Sequence, residues 1–249
     1  MVKVKYLILW ALIGLLSVSN SHAEQLNQLR YVTETYPPYN FKEGGTLKGI
    51  AIDLLLSATE VAGSPVKQNG IQLLPWARAF KMAETEKNVV LFSTTRTEQR
   101  EAKFQWVGPI SPTRVVLLAK KDSNIKIDNP EELSKYQIGV IRDDIGDHLV
   151  KSLGVSESNI TRSSKADALI KMLDSGRVQM WAYEENVARW LIKKESLNND
   201  HFSVAYVLKE SELYYAFSKD VSKTLVNQLQ EAVNKVKSGS QFDEIKRRY

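Results

Sequence analysis

The 249-residue chain contains no cysteine. That excludes a disulfide framework, a thiolate metal site and a cysteine nucleophile. It also leaves no cysteine behind the N-terminal segment to carry a lipid. Histidine is nearly absent, at three residues. His148 and His201 lie far apart with no acidic residue at ligand spacing, so no metal site is expected. No apolar run after residue 23 is long enough to span a bilayer. The formal net charge is +5, with lysine and arginine scattered rather than clustered. Nothing in that distribution points to nucleic acid. Enzyme signatures are missing as well: there is no GxGxxG, no phosphate loop, no GxSxG and no HExxH. No cofactor and no catalytic residue is expected.

What is present begins with a leader. Lys3 and Lys5 precede an apolar run from Tyr6 to Val18, and Ser21-His22-Ala23 fits a small-x-small cleavage pattern. Residues 1–23 are expected to be a cleaved signal peptide. The mature protein is then expected to be soluble in the periplasm, without a lipid anchor.

Behind the leader, strand and helix patterns alternate. Leu29 to Thr35 predicts a strand that Tyr36-Pro37-Pro38-Tyr39 breaks. Gly49 to Val61 predicts a helix, Ile71 to Leu74 a strand, and Trp76 to about Glu86 a helix with Pro75 at its start. Val89-Val90-Leu91 is a buried strand. A second series follows: strands at Val115–Ala119, Gln137–Ile141, Val178–Ala182 and Phe202–Val207, with helices between them. Asp143-Asp144 are expected to cap the helix that runs to Leu153. Leu213 to Phe217 closes the series as a strand, and Val221 to Val236 is a long amphipathic helix. The class is α/β, in two lobes. Residues 24–109 plus 212–249 form lobe 1 and residues 115–206 form lobe 2. The short crossings at 110–114 and 207–211 suggest a hinge beside an interlobe cleft.

The stretch from Phe92 to Pro109, FSTTRTEQREAKFQWVGP, is the most informative. It brings threonines, Arg96 and Arg100 to the end of a buried strand, where ligands of α/β sheets bind. Arginine offers a planar fork to a carboxylate. The other strand ends add Tyr36, Trp76, Arg78, Ser93 and Thr95 from lobe 1, and Asp143, Tyr183 and Glu184 from lobe 2. These eight positions with Arg100 suit a small zwitterion: a cation for a carboxylate, an acid for an ammonium, and aromatic faces for the stem. Each also has a plainer reading. Arg78 fits a helix-surface charge, and Asp143 and Asp144 fit helix caps.

The residues that carry a resemblance are Tyr36-Pro37-Pro38-Tyr39-Asn40-Phe41, Gly49-Ile50-Ala51-Ile52-Asp53-Leu54, Thr97-Glu98-Gln99-Arg100-Glu101 with Phe104, and Gly176-Arg177-Val178-Gln179-Met180. In this order the chain resembles the periplasmic solute-binding proteins of ABC transporters, in particular the polar amino-acid-binding group, bacterial extracellular solute-binding protein family 3. The resemblance implies a two-lobed, hinged periplasmic binding protein-like (type II) fold. It implies a monomer that closes on a small-molecule ligand, an amino acid or related carboxylate, and delivers it to a membrane permease. By the same resemblance Arg100 holds the ligand's α-carboxylate with Thr95 beside it, Tyr36 and Trp76 sandwich its side chain, and Glu184 takes its α-ammonium. The chain departs from the pattern at Asp143-Asp144, where the family has small residues, and at Thr33, where it has an acid. Arg78 and Arg96 add charge. Two alternatives stand beside binding: a periplasmic dehydratase-like enzyme on the same fold with Glu184 as general acid or base, and a ligand-sensing partner of a membrane receptor. The missing nucleophile favours binding over catalysis.

Overall fold

The computed structural model describes residues 25–249. The expected signal peptide lies outside them. In chain order, β1 (Arg30–Thr33) is followed by a hairpin of β2 (Phe41–Glu43) and β3 (Thr46–Lys48). Helix α1 (Ile50–Val61), β4 (Gln72–Leu73), α2 (Trp76–Thr85), β5 (Val89–Thr95) and the single turn α3 (Glu98–Glu101) complete the first series. Next come β6 (Gln105–Lys120), β7 (Ile138–Ile141), α4 (Ile145–Ser152), β8 (Ile160–Ser163), α5 (Ala166–Asp174), β9 (Met180–Glu184) and α6 (Glu185–Lys194). The long strand β10 (Phe202–Phe217) and the helices α7 (Lys223–Ser238) and α8 (Ser240–Arg247) end the chain.

Eight of the strands form one mixed sheet in the order β4-β1-β5-β10-β6-β9-β7-β8. β4, β1 and β5 run parallel at one end, and β9, β7 and β8 run parallel at the other. The antiparallel pair β6/β10 joins these wings, from Phe202 opposite Lys120 to Phe217 opposite Gln105. Parallel strands need helical crossovers, and both wings have them. One apolar cluster runs through both wings, from Val32 and Leu91 to Leu169 and Ile192, and a smaller one with Leu117, Leu133, Ile138, Val140, Val150 and Met180 is confined to the second wing.

The central pair corrects three sequence expectations. Val115–Ala119 is only the far half of β6, and Gly108-Pro109 does not end the strand. The side chain of Gln230 accepts from the Gly108 amide and donates to the Gly108 carbonyl, both at 2.9 Å, which supplies partners where the ladder is irregular. Phe202–Val207 and Leu213–Phe217 are likewise one strand, because register shifts near Tyr206, Lys209 and Tyr215 absorb the break in alternation. The crossings at 110–114 and 207–211 are therefore paired strand, with Glu210 opposite Arg114 and Ser211 opposite Thr113. The β2/β3 hairpin, with strands of three residues each, is too short to leave a periodic signal in the sequence.

Gly49 positions the turn from Tyr36 to Asn40. Its φ is +130°, and a Cβ there stands 2.3 Å from the Tyr39 carbonyl oxygen. The amides of Ile50 and Ala51, starting α1, donate to the carbonyls of Pro38 and Tyr39 at 3.0 and 2.9 Å. Only glycine allows this approach. Gly49→Ala is expected to destabilise the fold by about 1–3 kcal/mol, read as a lower urea midpoint at unchanged slope.

Candidate functional site

The wings meet along the carboxyl ends of their parallel strands. From the first wing, the turn after β1 and the start of α2 present Tyr36, Tyr39 and Trp76. From the second, the ends of β7 and β9 present Asp143, Asp144, Tyr183 and Glu184. The surfaces touch. The Trp76 indole N–H donates to the Asp143 carbonyl at 2.9 Å. The Asn186 side-chain amide donates to the Tyr39 hydroxyl at 3.2 Å. The Tyr36 and Tyr183 rings meet edge to face at 5.6 Å, and Phe41 packs on Trp190 at 5.2 Å.

Arg100 sits inside this contact, 4% exposed. One guanidinium nitrogen donates to the Thr95 carbonyl at 3.2 Å, and the guanidinium lies 5.1 Å from the Trp76 and Phe80 ring centres. Its Nη2 is buried without a hydrogen-bond partner. Burial lowers its pKa, and the fields of Asp144, Tyr36 and Glu34 oppose that. Among the described residues no carboxylate oxygen comes within 4.0 Å of the guanidinium.

Three acids share the enclosure with it. Asp144 is 4% exposed, and its Oδ2 also lacks a partner. Burial raises its carboxyl to about 6, although Arg100 pulls it down. Glu184 is raised to about 7, again by burial, against the hydrogen bonds it accepts. Glu34 is pushed well up by burial and then by Asp144, with Arg100 opposing. The buried Tyr183 hydroxyl is a third orphan, and its ring stacks on Trp181 at 4.9 Å. Buried polar atoms without partners are uncommon and costly. Here the orphans of Arg100, Asp144 and Tyr183 gather in one enclosure.

The enclosure has a recess on either side. A groove of about 600 Å³ runs between α2, α3 and α4, with Arg100 in its lining beside Phe80, Lys103, Ile145, His148 and Leu149. A second recess of about 380 Å³ is lined by Glu34, Leu74, Pro75, Ile141, Tyr183 and Lys194.

Tyr36, Trp76, Thr95, Arg100, Tyr183 and Glu184 are thus buried in one region. The other expected positions lie differently. Arg78 is exposed on α2, outside the linings of both recesses. The Ser93 hydroxyl donates to the side-chain oxygen of Asn40 within the first wing. Asp143 is exposed, and its backbone carbonyl is what meets Trp76. Asp144 occupies the N-cap position of α4 but makes no capping bond. Asp147, in the first turn, reaches back instead: its carboxylate accepts from the Asp143 amide ahead of the helix at 3.1 Å. Glu184 does cap: it accepts from the Val187 amide at 2.7 Å and from the Asn186 side chain at 3.2 Å. Glu34 and Asn186 were missed. The available signal for Glu34 was its place directly after β1, next to Thr33, whose hydroxyl turns away to the Phe92 carbonyl at 3.1 Å.

Residues 29–249 match the family model of the bacterial extracellular solute-binding proteins, family 3. The arginine-binding extracellular protein ArtP of Bacillus subtilis (strain 168) is 20% identical over 235 residues, covering 94% of this chain and 89% of ArtP. Among solved structures, holo ArgBP from T. maritima superposes with a TM-score of 0.72 at 21% identity, covering 88% of this chain and 94% of that one. A histidine kinase sensor domain with similarity to periplasmic binding proteins gives a TM-score of 0.78 at 17% identity, covering 90% and 96%. These structural likenesses speak to the fold.

Proposed function

The chain belongs to the bacterial extracellular solute-binding proteins, family 3, and from that membership we propose that it captures a basic amino acid between its two wings and delivers it to an ABC transporter. Arg100, with Thr95 beside it, holds the carboxyl end. Glu184 takes the α-ammonium with the lone pairs its cap leaves free. Tyr36, Trp76 and Tyr183 wall the stem. The observation that carries the reading is the charge of the enclosure. The half-buried Glu34 and the buried Asp144 lie in the field of a single buried guanidinium, Glu184 lies close by, and burial holds all three carboxyls toward the protonated form until a cation arrives. Buried charge must be paired, and a ligand with two cationic groups and one carboxylate pairs most of it. The names of ArtP and ArgBP agree with this chemistry.

The β6/β10 crossings at 110–114 and 207–211 act as the hinge between lobe 1 (24–109 plus 212–249) and lobe 2 (115–206). The mature protein works as a periplasmic monomer after removal of residues 1–23, and its role is binding rather than catalysis.

A thermal-shift screen of amino acids, small carboxylates and polyamines tests the proposal. A ligand at 100 times its Kd adds about 2.7 kcal/mol of stability. L-arginine or L-lysine is expected to raise the midpoint. A response confined to acidic or apolar amino acids defeats the basic-ligand reading.

A further inference from the structure

The carboxyl end of this site is not a plain anion hole. Arg100 Nη2 is a buried donor without a partner, and Asp144 Oδ2 is a buried acceptor without one. The two side chains are electrostatic neighbours without being in ion-pair contact. A group fitting between them has to accept from one and donate to the other. A free carboxylate accepts from Arg100 but meets Asp144 as a second anion. A carboxamide or a peptide bond does both, with its C=O toward Arg100 and its N–H toward Asp144.

The groove beside Arg100 gives such a group somewhere to continue. It opens between α2, α3 and α4, its apolar wall is Phe80, Ile145 and Leu149, and Lys103 and His148 stand along it. Its volume of about 600 Å³ exceeds what a carboxylate alone fills. Resting on the proposal that the site binds a basic ligand with its α-ammonium at Glu184, we infer that the site selects that ligand as an amide, a basic residue at the N-terminus of a short peptide, with its peptide bond between Arg100 and Asp144 and the chain continuing into the groove.

The charge count agrees. A basic amino-acid amide carries two positive charges and neutralises the enclosure with Asp144 ionised. A free basic amino acid leaves one negative charge, which a proton on Asp144 removes. Asp144 is the group placed to take it: Arg100 faces it from α3, Glu34 and Tyr36 from the segment after β1, Tyr183 from β9, and Asp147 from its own helix. Glu34 lies in the field of Asp144, and the α-ammonium of an amide or dipeptide titrates at about 8, so the difference in proton uptake between the ligands is assigned to Asp144 by its loss in Asp144→Asn.

The experiment is calorimetric titration with L-arginine, L-argininamide and arginyl-glycine at pH 5 and pH 7, in two buffers of different ionisation heat. At pH 7 the amide and the dipeptide are expected to bind about tenfold more tightly than the free acid, with the free acid taking up one more proton. By pH 5 the gap closes. In Asp144→Asn the side chain donates to a carboxylate, so L-arginine gains affinity and the pH dependence of the ratio disappears. Equal affinities at pH 7 with no difference in proton uptake overturn the inference and leave the basic-ligand proposal standing. So does a pH dependence that persists in Asp144→Asn and vanishes in His148→Gln. Binding of none of the three overturns both. Where Asp144→Asn folds poorly, the wild-type affinity ratio at pH 7 still decides, because equal affinities of the free acid, the amide and the dipeptide overturn the inference.

Discussion

Arg100→Ala is expected to weaken binding of the solute that most raises the wild-type melting midpoint by a factor of about 30 to several thousand, or roughly 2–5 kcal/mol. The guanidinium is the enclosure's single buried cation among the described residues, and it is held without help from any carboxylate. Thr95 fixes one arm, and the Trp76 and Phe80 rings fix the plane at 5.1 Å. The other arm, Nη2, is buried without a hydrogen-bond partner and is the arm proposed to meet a ligand oxygen. Removing the side chain strands that oxygen in a water-poor site beside three acids. Arg100→Lys keeps the charge but loses the fork and the stacking plane, so at least a tenfold loss is expected there too. Calorimetric titration checks both. The folding control is a melt at pH 5, where protonation quiets the acids that Arg100 no longer balances. A well-folded alanine variant that binds like wild type places the ligand elsewhere.

Arg100 was legible in the sequence because a short strand, a run of hydroxyls and two arginines sit close together in the chain. The same locality made Trp76 and Glu184 readable as the residues at strand ends. Asp144 was not readable in this way. A sequence of two aspartates before a helix looks like a cap, and which one turns inward depends on the φ of +58° at Asp143 and on the bond from the Asp143 amide to Asp147. Glu34 was hidden for a similar reason: whether Thr33 or Glu34 faces the cleft depends on the exact residue at which β1 ends. The merging of β6 and β10 through both wings was also out of reach. Local breakers such as Gly108-Pro109 predict a stop, and the compensation comes from Gln230 on α7, distant in the chain. Periodicity reads elements and their order. It does not read which of two adjacent polar residues a tertiary contact turns inward.

Glu184→Gln is expected to make the ligand-free protein more stable at pH 8 while removing most of its affinity. In the closed form Glu184 is fully buried and its carboxyl is raised to about 7, against an ordinary value of 4.5. Between those two values the folded protein holds a proton that the unfolded chain has already lost. Stability on this group's account is therefore greatest below pH 4.5 and falls as pH rises toward 7, by about 3 kcal/mol. Asp144, raised to about 6, and Glu34, raised further than its ordinary value by burial, push in the same direction. The wild-type midpoint should fall between pH 5 and pH 8. Glutamine keeps an oxygen for the Val187 amide, so the α6 cap survives. It carries no charge to bury, so the variant's midpoint at pH 8 should exceed wild type by roughly 5–10 °C, with a shallower slope left by the other two acids. Its affinity should drop for ligands with a free α-ammonium and stay near wild type for those lacking one. The stability gain and the affinity loss together mark the acid as kept for the ligand rather than for the fold. A flat wild-type profile would mean that the wings part in the ligand-free protein and rehydrate Glu184, which places the cost of burying it on the closing step. A variant less stable than wild type at pH 8 would make the cap, rather than the buried charge, the dominant role of this side chain.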